Sequence, residues 1–200
     1  MDSHKLSLKF FADNADRLTH DAFVPIFHHW IQEQAFPDHL LIDVADYAHV
    51  PNGPGTLIVA HEANIHFDRE DGRPGLFYLR KQPIPGAESF RERLAAVFRA
   101  TVFAANKLQS DPSIAGIKFR TDEIVFRIHD RLLAPNTAET YSAVRGDLQS
   151  FLTELFRGDV TLDHKQDNER LFEVRIRSNG KASLGDLLGR LESVAPAATK

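Results

Sequence analysis

Apolar residues recur along the chain with two rhythms, and the switches between them mark out the elements. Residues 5–11, KLSLKFF, alternate with period two, which predicts a first strand with Leu6, Leu8 and Phe10 on one face. In DAFVPIFHHWIQEQ the period lengthens, and Phe23, Ile26, Phe27, Trp30 and Ile31 form a helical stripe. Pro25 is tolerated only near a helix start, so this helix begins close to Asp21. HLLIDVADY reads as a strand, and TLIVAHEANIHFD as one long strand or two short ones in line. REDGRPG is a turn, and LFYLRK is the hairpin partner beyond it.

The helical rhythm is strongest over residues 87–109. Phe90, Leu94, Val97, Phe98, Val102, Ala105 and Leu108 share one stripe there. Ala96, Ala100, Phe103 and Ala104 line the opposite side, and a helix apolar on two sides is usually covered twice. The other half of the chain is the expected cover, with a second subunit as the alternative. IAGIKFR and EIVFRIH then read as two strands. TAETYSAVRGDLQSFLTELF reads as a helix that Gly158 is placed to end. DVTLDHK and RLFEVRIR are strands, and a last helix opens at Ser183.

The predicted order is β-α-β-β-(β)-α-β followed by β-α-β-β-α, an α+β chain of two pseudo-repeated halves. Antiparallel sheets with helices packed on one face are the expected architecture. HFDREDGRPGLFYLRK aligns with LDHKQDNERLFEVRIR at an offset of 95, setting Phe77 against Phe172. The preceding helices align at 118, setting Phe23 against Tyr141, so the first copy carries 23 more residues. The extra chain falls between Asp43 and Ile65. The division expected is 1–115 for the first half with an inserted loop at 45–65, 116–195 for the second, and a tail at 196–200. This element order resembles duplicated ferredoxin-like domains and the paired modules of GyrI-like small-molecule-binding proteins. The second resemblance implies a ligand cleft between the halves. The phrase DVADYAHV…GPG…HEA is also similar to bacterial proteins of unassigned function.

Composition narrows the chemistry. The chain has 200 residues, a formal charge of −4 and no cysteine, which excludes disulfides, thiolate metal sites and a cysteine nucleophile. The acidic balance gives no reason to expect nucleic acid. Lys118, Arg120, Arg127 and Arg131 are interleaved with Asp122, Glu123 and Asp130, so a solvated sheet face is expected there. No apolar run is long enough for a membrane span, and the start lacks the pattern of a signal peptide. A soluble, cytoplasmic protein is the simplest expectation.

Candidate chemistry concentrates in residues 43–68. In an extended strand Glu62, Asn64, His66 and Asp68 would share one face, and Leu57, Val59, His61, Ala63, Ile65 and Phe67 the other. The first row could bind a ligand or a metal, or be a plain solvated face. His61 reads as a core residue. YAHVPNGPG is long for a hairpin connection and stiffened by Asn52-Gly53 and Pro54-Gly55, with Asp46, Tyr47, His49 and Asn52 as its polar equipment. HEANIH is not the zinc-protease motif, because its histidines are five apart in a strand. No phosphate-binding loop, dinucleotide fingerprint or serine-hydrolase elbow is present, so the cofactor stays unassigned. His28 and His29 read as surface residues, His29 within reach of Glu33.

Three function classes follow. The first is binding of a small molecule through Asp46, Tyr47, His49, Asn52, Glu62, Asn64 and His66. The second is a metal-dependent enzyme with His49, Glu62 and His66 as ligands. The third is an interaction protein, a homodimer for example, working through the 87–109 helix. A pocket between the halves lined by Trp30 or Tyr47 would favour the first, bound metal the second, and dimerisation without ligand the third.

Overall fold

The computed structural model describes residues 1–50 and 53–194. Its alternating segments form β1 (Leu6–Asp13), β2 (Leu41–Asp46), β3 (Thr56–Ala60), β4 (Ala63–Asp68), β5 (Gly75–Arg80), β6 (Lys118–Ile128), β7 (Thr161–His164) and β8 (Phe172–Arg177). Its helical segments form α1 (Val24–Gln32), α2 (Phe90–Gln109), α3 (Ala138–Phe156) and α4 (Leu184–Val194). The chain is therefore α+β. All eight strands join one antiparallel sheet rather than several, in the order β2-β3-β4-β5-β1-β6-β8-β7.

Local sequence accounts for the helix ends. Ser89 and Glu92 close a capping box that satisfies the first amides of α2. Thr137 accepts from the Thr140 amide at the start of α3, and Pro25 lies in the first turn of α1. At the end of α3 the left-handed position is taken by Arg157, not by Gly158. The predicted stripe of α2 is buried from Phe90 to Leu108. On its second side Ala104 is fully buried, Ala96, Ala100 and Phe103 are half-buried, and the Phe36 ring meets Phe103 edge-on at 5.0 Å.

Residues paired across antiparallel strands share a face, so the register assigns every side chain. Val44, Ile58, Ile65, Tyr78, Leu8, Phe126, Val174 and His164 form one such row. That face packs under α1, α2 and α3, with α4 seated against α2 and α3, and with Leu6, Phe10, Phe67 and Leu76 it supplies the sheet side of the core. Burying side chains of this size contributes about 1.5 to 3 kcal/mol each. Among the described residues the opposite face carries no α-helix.

The segment 56–68 is a hairpin rather than one strand. His61 and Glu62 form its turn, and Lys81 and His61 amides anchor it by bonding Glu62 O and Leu40 O. The turn reverses the alternation: Thr56, Ile58 and Ala60 face the core before it, and Ala63, Ile65 and Phe67 after it. Segment 45–65 thus holds the end of β2, all of β3 and the start of β4, with connections between them. IAGIKFR and EIVFRIH merge in part into the single strand β6. The outer edge of β2 is blunted by a bulge between Leu41 and Asp43, and by the Asp43 carboxylate, which accepts the Val44 amide.

Candidate functional site

The helix-free face brings together the buried charges Lys9 and Asp68 and the half-buried Arg73, Glu123 and Arg127. One row across it reads Asp43, Val59, Asn64, Leu79, Ser7, Arg127 and Glu173. The next reads Ala45, Leu57, His66, Phe77, Lys9, Val125, Arg175 and Asp163. Lys9 and Asp68 form an ion pair with side chains only 2% and 4% exposed. Asp68 also accepts the Glu70 amide at 3.0 Å. Ser7 is fully buried, and its hydroxyl lies 2.8 Å from His129 Nε2.

With no helix above them, these groups are covered by the chain between β4 and β5, which folds back over the sheet. Arg73 lies over the Phe11 ring, 3.5 Å from its centroid, and donates two hydrogen bonds to Glu123 at 3.0 and 2.9 Å. Those bonds, opposed by partial burial, hold the Glu123 carboxyl below its ordinary range. Glu70 accepts from Arg127 Nη1 at 2.7 Å, and Glu173 accepts from Arg127 Nε at 2.7 Å. One guanidinium is thus shared by a carboxylate from the β4–β5 connection and another from β8.

Beside this junction the sheet floors a recess of about 620 Å³. Arg127, Glu173 and Arg175 form its floor, Glu70 one rim, and Asp163, Lys165, Asp167 and Arg170 the other. Opposite charges face each other across it, Arg127 opposite Glu173 and Arg175 opposite Asp163. Another groove, of about 630 Å³, is lined only by residues of α3 between Ser142 and Glu154, and a single helix offers a ligand no enclosing walls.

Burial favours the neutral forms of His129, His66 and His39. His129 is lowered to about 4, by burial and then by Arg127. His66 is lowered by burial despite Asp68 nearby, and its Nδ1–H donates to Pro54 O at 3.1 Å. On the other side of the sheet, His39 bonds the Tyr78 hydroxyl at 2.8 Å and is lowered to about 4 by burial and Arg80. Burial pushes Tyr78 up to about 12. Ser7 and His129 have the spacing of a nucleophile and its base, but a hydroxyl with no exposed surface cannot meet a substrate.

The expected site residues are divided rather than gathered. Asn64 and His66 share the helix-free face, joined there by Asp68. The Asn64 Oδ1 is buried and accepts no hydrogen bond. Glu62 does not share their row: it lies in the hairpin turn, where it accepts the Leu40 amide at 2.8 Å. His61, expected in the core, is exposed in the same turn.

Asp46 caps Ala48 in the loop after β2, and Tyr47 and His49 are exposed there with their rings 6.4 Å apart. Asn52 lies outside the described residues. That loop and the Glu62 turn stand at opposite ends of β3, roughly 15 Å apart at the rise of an extended strand. The structure therefore does not bring His49, Glu62 and His66 together. Among the described residues no three His, Cys, Asp or Glu side chains group as metal ligands. Trp30 is buried in the core. Neither it nor Tyr47 lines the recess. His28 and His29 are exposed, and His29 lies 3.1 Å from Glu33.

Sequence reasoning missed Lys9, Glu70, Arg73, Glu173 and Arg175, and took Arg127 and Glu123 for solvated charges. The available signal was alternation. Glu123 and Arg127, four apart, and Glu173, Arg175 and Arg177, two apart, fall on one strand face with apolar residues between.

Set against models of known protein families, curated proteins and solved structures, the chain matches none. No helix among the described residues is long and apolar enough to cross a membrane.

Proposed function

We propose that the protein binds a small polar molecule in the recess over Arg127, Glu173 and Arg175. The observation that carries this reading is the recess: its volume lies within the roughly 300 to 1,000 Å³ of small-molecule sites. Eight of its ten lining residues are charged, so the ligand is one that brings charge or many hydrogen-bonding groups. A large apolar molecule would strip water from these groups without replacing its hydrogen bonds.

The same reading treats the chain as a duplicated unit. Support comes from the sheet order, β4-β5-β1 on one side and β7-β8-β6 on the other, with β1 and β6 adjacent at the centre. β2 and β3 are then the extra residues of the first copy. The recess lies where Glu70, from the β4–β5 connection, meets the corresponding β7–β8 connection.

A thermal-shift screen of small carboxylates, amines, amino acids, sugars and nucleosides tests the proposal. At least one compound should raise the Tm of the wild type. Arg175→Gln and Lys165→Gln should weaken its binding at least tenfold while moving the unliganded Tm little, since both side chains reach solvent. A screen with no binder, or a binder indifferent to both substitutions, overturns it.

A further inference from the structure

We infer that the molecule taken by the recess carries a carboxylate, and that it docks on Arg127 in place of Glu70. This rests on the recess being the binding site. Of the two cations in the floor, Arg127 is the more deeply held, with a side chain 15% exposed against 38% for Arg175. Arginine presents a planar fork that matches a carboxylate, and here the fork already holds two.

Those two carboxylates are not equivalent. Glu173 projects from β8, whose register against β6 sets it directly opposite Arg127. Glu70 belongs to the short helical turn Glu70–Gly72 between β4 and β5, and its side chain is 40% exposed. The connection is pinned on both sides of it. Arg69 donates to the carbonyls of Ala15 and Leu18, and Arg73 holds Glu123. Glu70 can therefore leave Arg127 by rotating its own side chain into solvent, without any movement of the connection.

Charge balance points the same way. With Glu70 in place, the lining holds four cations (Arg127, Lys165, Arg170, Arg175) against four carboxylates (Glu70, Asp163, Asp167, Glu173). With Glu70 turned out, the four cations face three carboxylates, and the recess has room in its charge for one more. Glu70 thus acts as an internal stand-in for the ligand's carboxylate. It keeps Arg127 paired while the site is empty, and it is displaced when a ligand supplies the same group. A cationic ligand would gain less from the same exchange, since turning Glu70 out takes a carboxylate from the lining and leaves Arg127 with Glu173 alone.

The test is calorimetric titration of wild type and Glu70→Gln with succinate, inorganic phosphate and putrescine. Removing the internal competitor should tighten succinate binding about five-fold, the effect of deleting one partly exposed ion pair. Titration of the wild type should also shift the Arg127 Nε–Hε resonance. Arg127→Lys, which keeps the charge but loses the fork, should weaken succinate and remove the advantage of Glu70→Gln. The inference is overturned if Glu70→Gln leaves succinate affinity unchanged or lowers it. Binding of phosphate without succinate, or of putrescine in preference to both, overturns the carboxylate assignment. If the recess binds a neutral or cationic compound from the wider screen, this inference fails while the binding site stands. If no compound binds either variant, both fail.

Discussion

The Lys9–Asp68 pair allows a quantitative test of how dry the helix-free face is. Both side chains are almost fully buried, beneath a connection that adds Arg73 and Glu70 above them. Asp68→Asn keeps an oxygen for the Glu70 amide and removes only the charge. Lys9 is then a buried ammonium without a counter-charge, and breaking such a pair costs about 3 to 5 kcal/mol. For a chain of this size that loss lowers Tm by roughly 6 to 20 °C. Adding Lys9→Met to Asp68→Asn removes the orphaned charge and should restore most of the loss, because an apolar replacement of a buried pair is often neutral. Urea titration at pH 7, with unchanged m values, reads both effects. A cost below about 1 kcal/mol for Asp68→Asn, or a double variant no better than the single one, would show that water reaches the pair.

Other expectations follow from the same geometry. His39 and His129 have folded pKa values lowered from 6.5 to about 4, so the fold favours their neutral forms. Their contribution is present above pH 6.5 and is lost as pH falls toward 4, up to about 3 kcal/mol for each. Urea denaturation across this window should show the decline, and His39→Gln with His129→Gln should flatten it. Gly55 has φ +67°, and a Cβ there would lie 2.6 Å from Phe67 O and against the His20 ring. Gly55→Ala should therefore cost more than about 2 kcal/mol by chemical denaturation. Glu62→Ala loses only the bond to the Leu40 amide, so it should cost about 1 kcal/mol and leave ligand binding intact.

Periodicity made the scaffold legible. Leu6, Leu8 and Phe10, and the α2 stripe from Phe90 to Leu108, reach the core as their spacing requires. The hairpin at His61–Glu62 was hidden because its turn contains none of the Gly, Asn or Asp residues that favour two-residue turns. Missing that turn reversed the parity of β3, which put His61 in the core and Glu62 beside Asn64. The parity of β4 itself was read correctly, so Asn64, His66 and Asp68 do share a face.

The recess was harder to read because its parts are far apart in sequence. Glu70 meets Arg127 across 57 residues, and Arg127 meets Glu173 across 46. Only the pairing of β1 with β6, and of β6 with β8, brings them together. Nor does local pattern say that Lys9, on a strand face without a helix, will be buried. That follows from the β4–β5 connection folding over it, which REDGRPG signals only as a turn.

The most direct test of the binding site is to map the best compound from the screen onto ¹⁵N-labelled protein by amide chemical-shift perturbation. The account predicts saturable shifts concentrated on residues 70 and 127, on 163–167 and on 170–175, with the loop after β2 unaffected. Shifts confined to residues 46–50 and 62–66, or spread evenly over the surface, would contradict it.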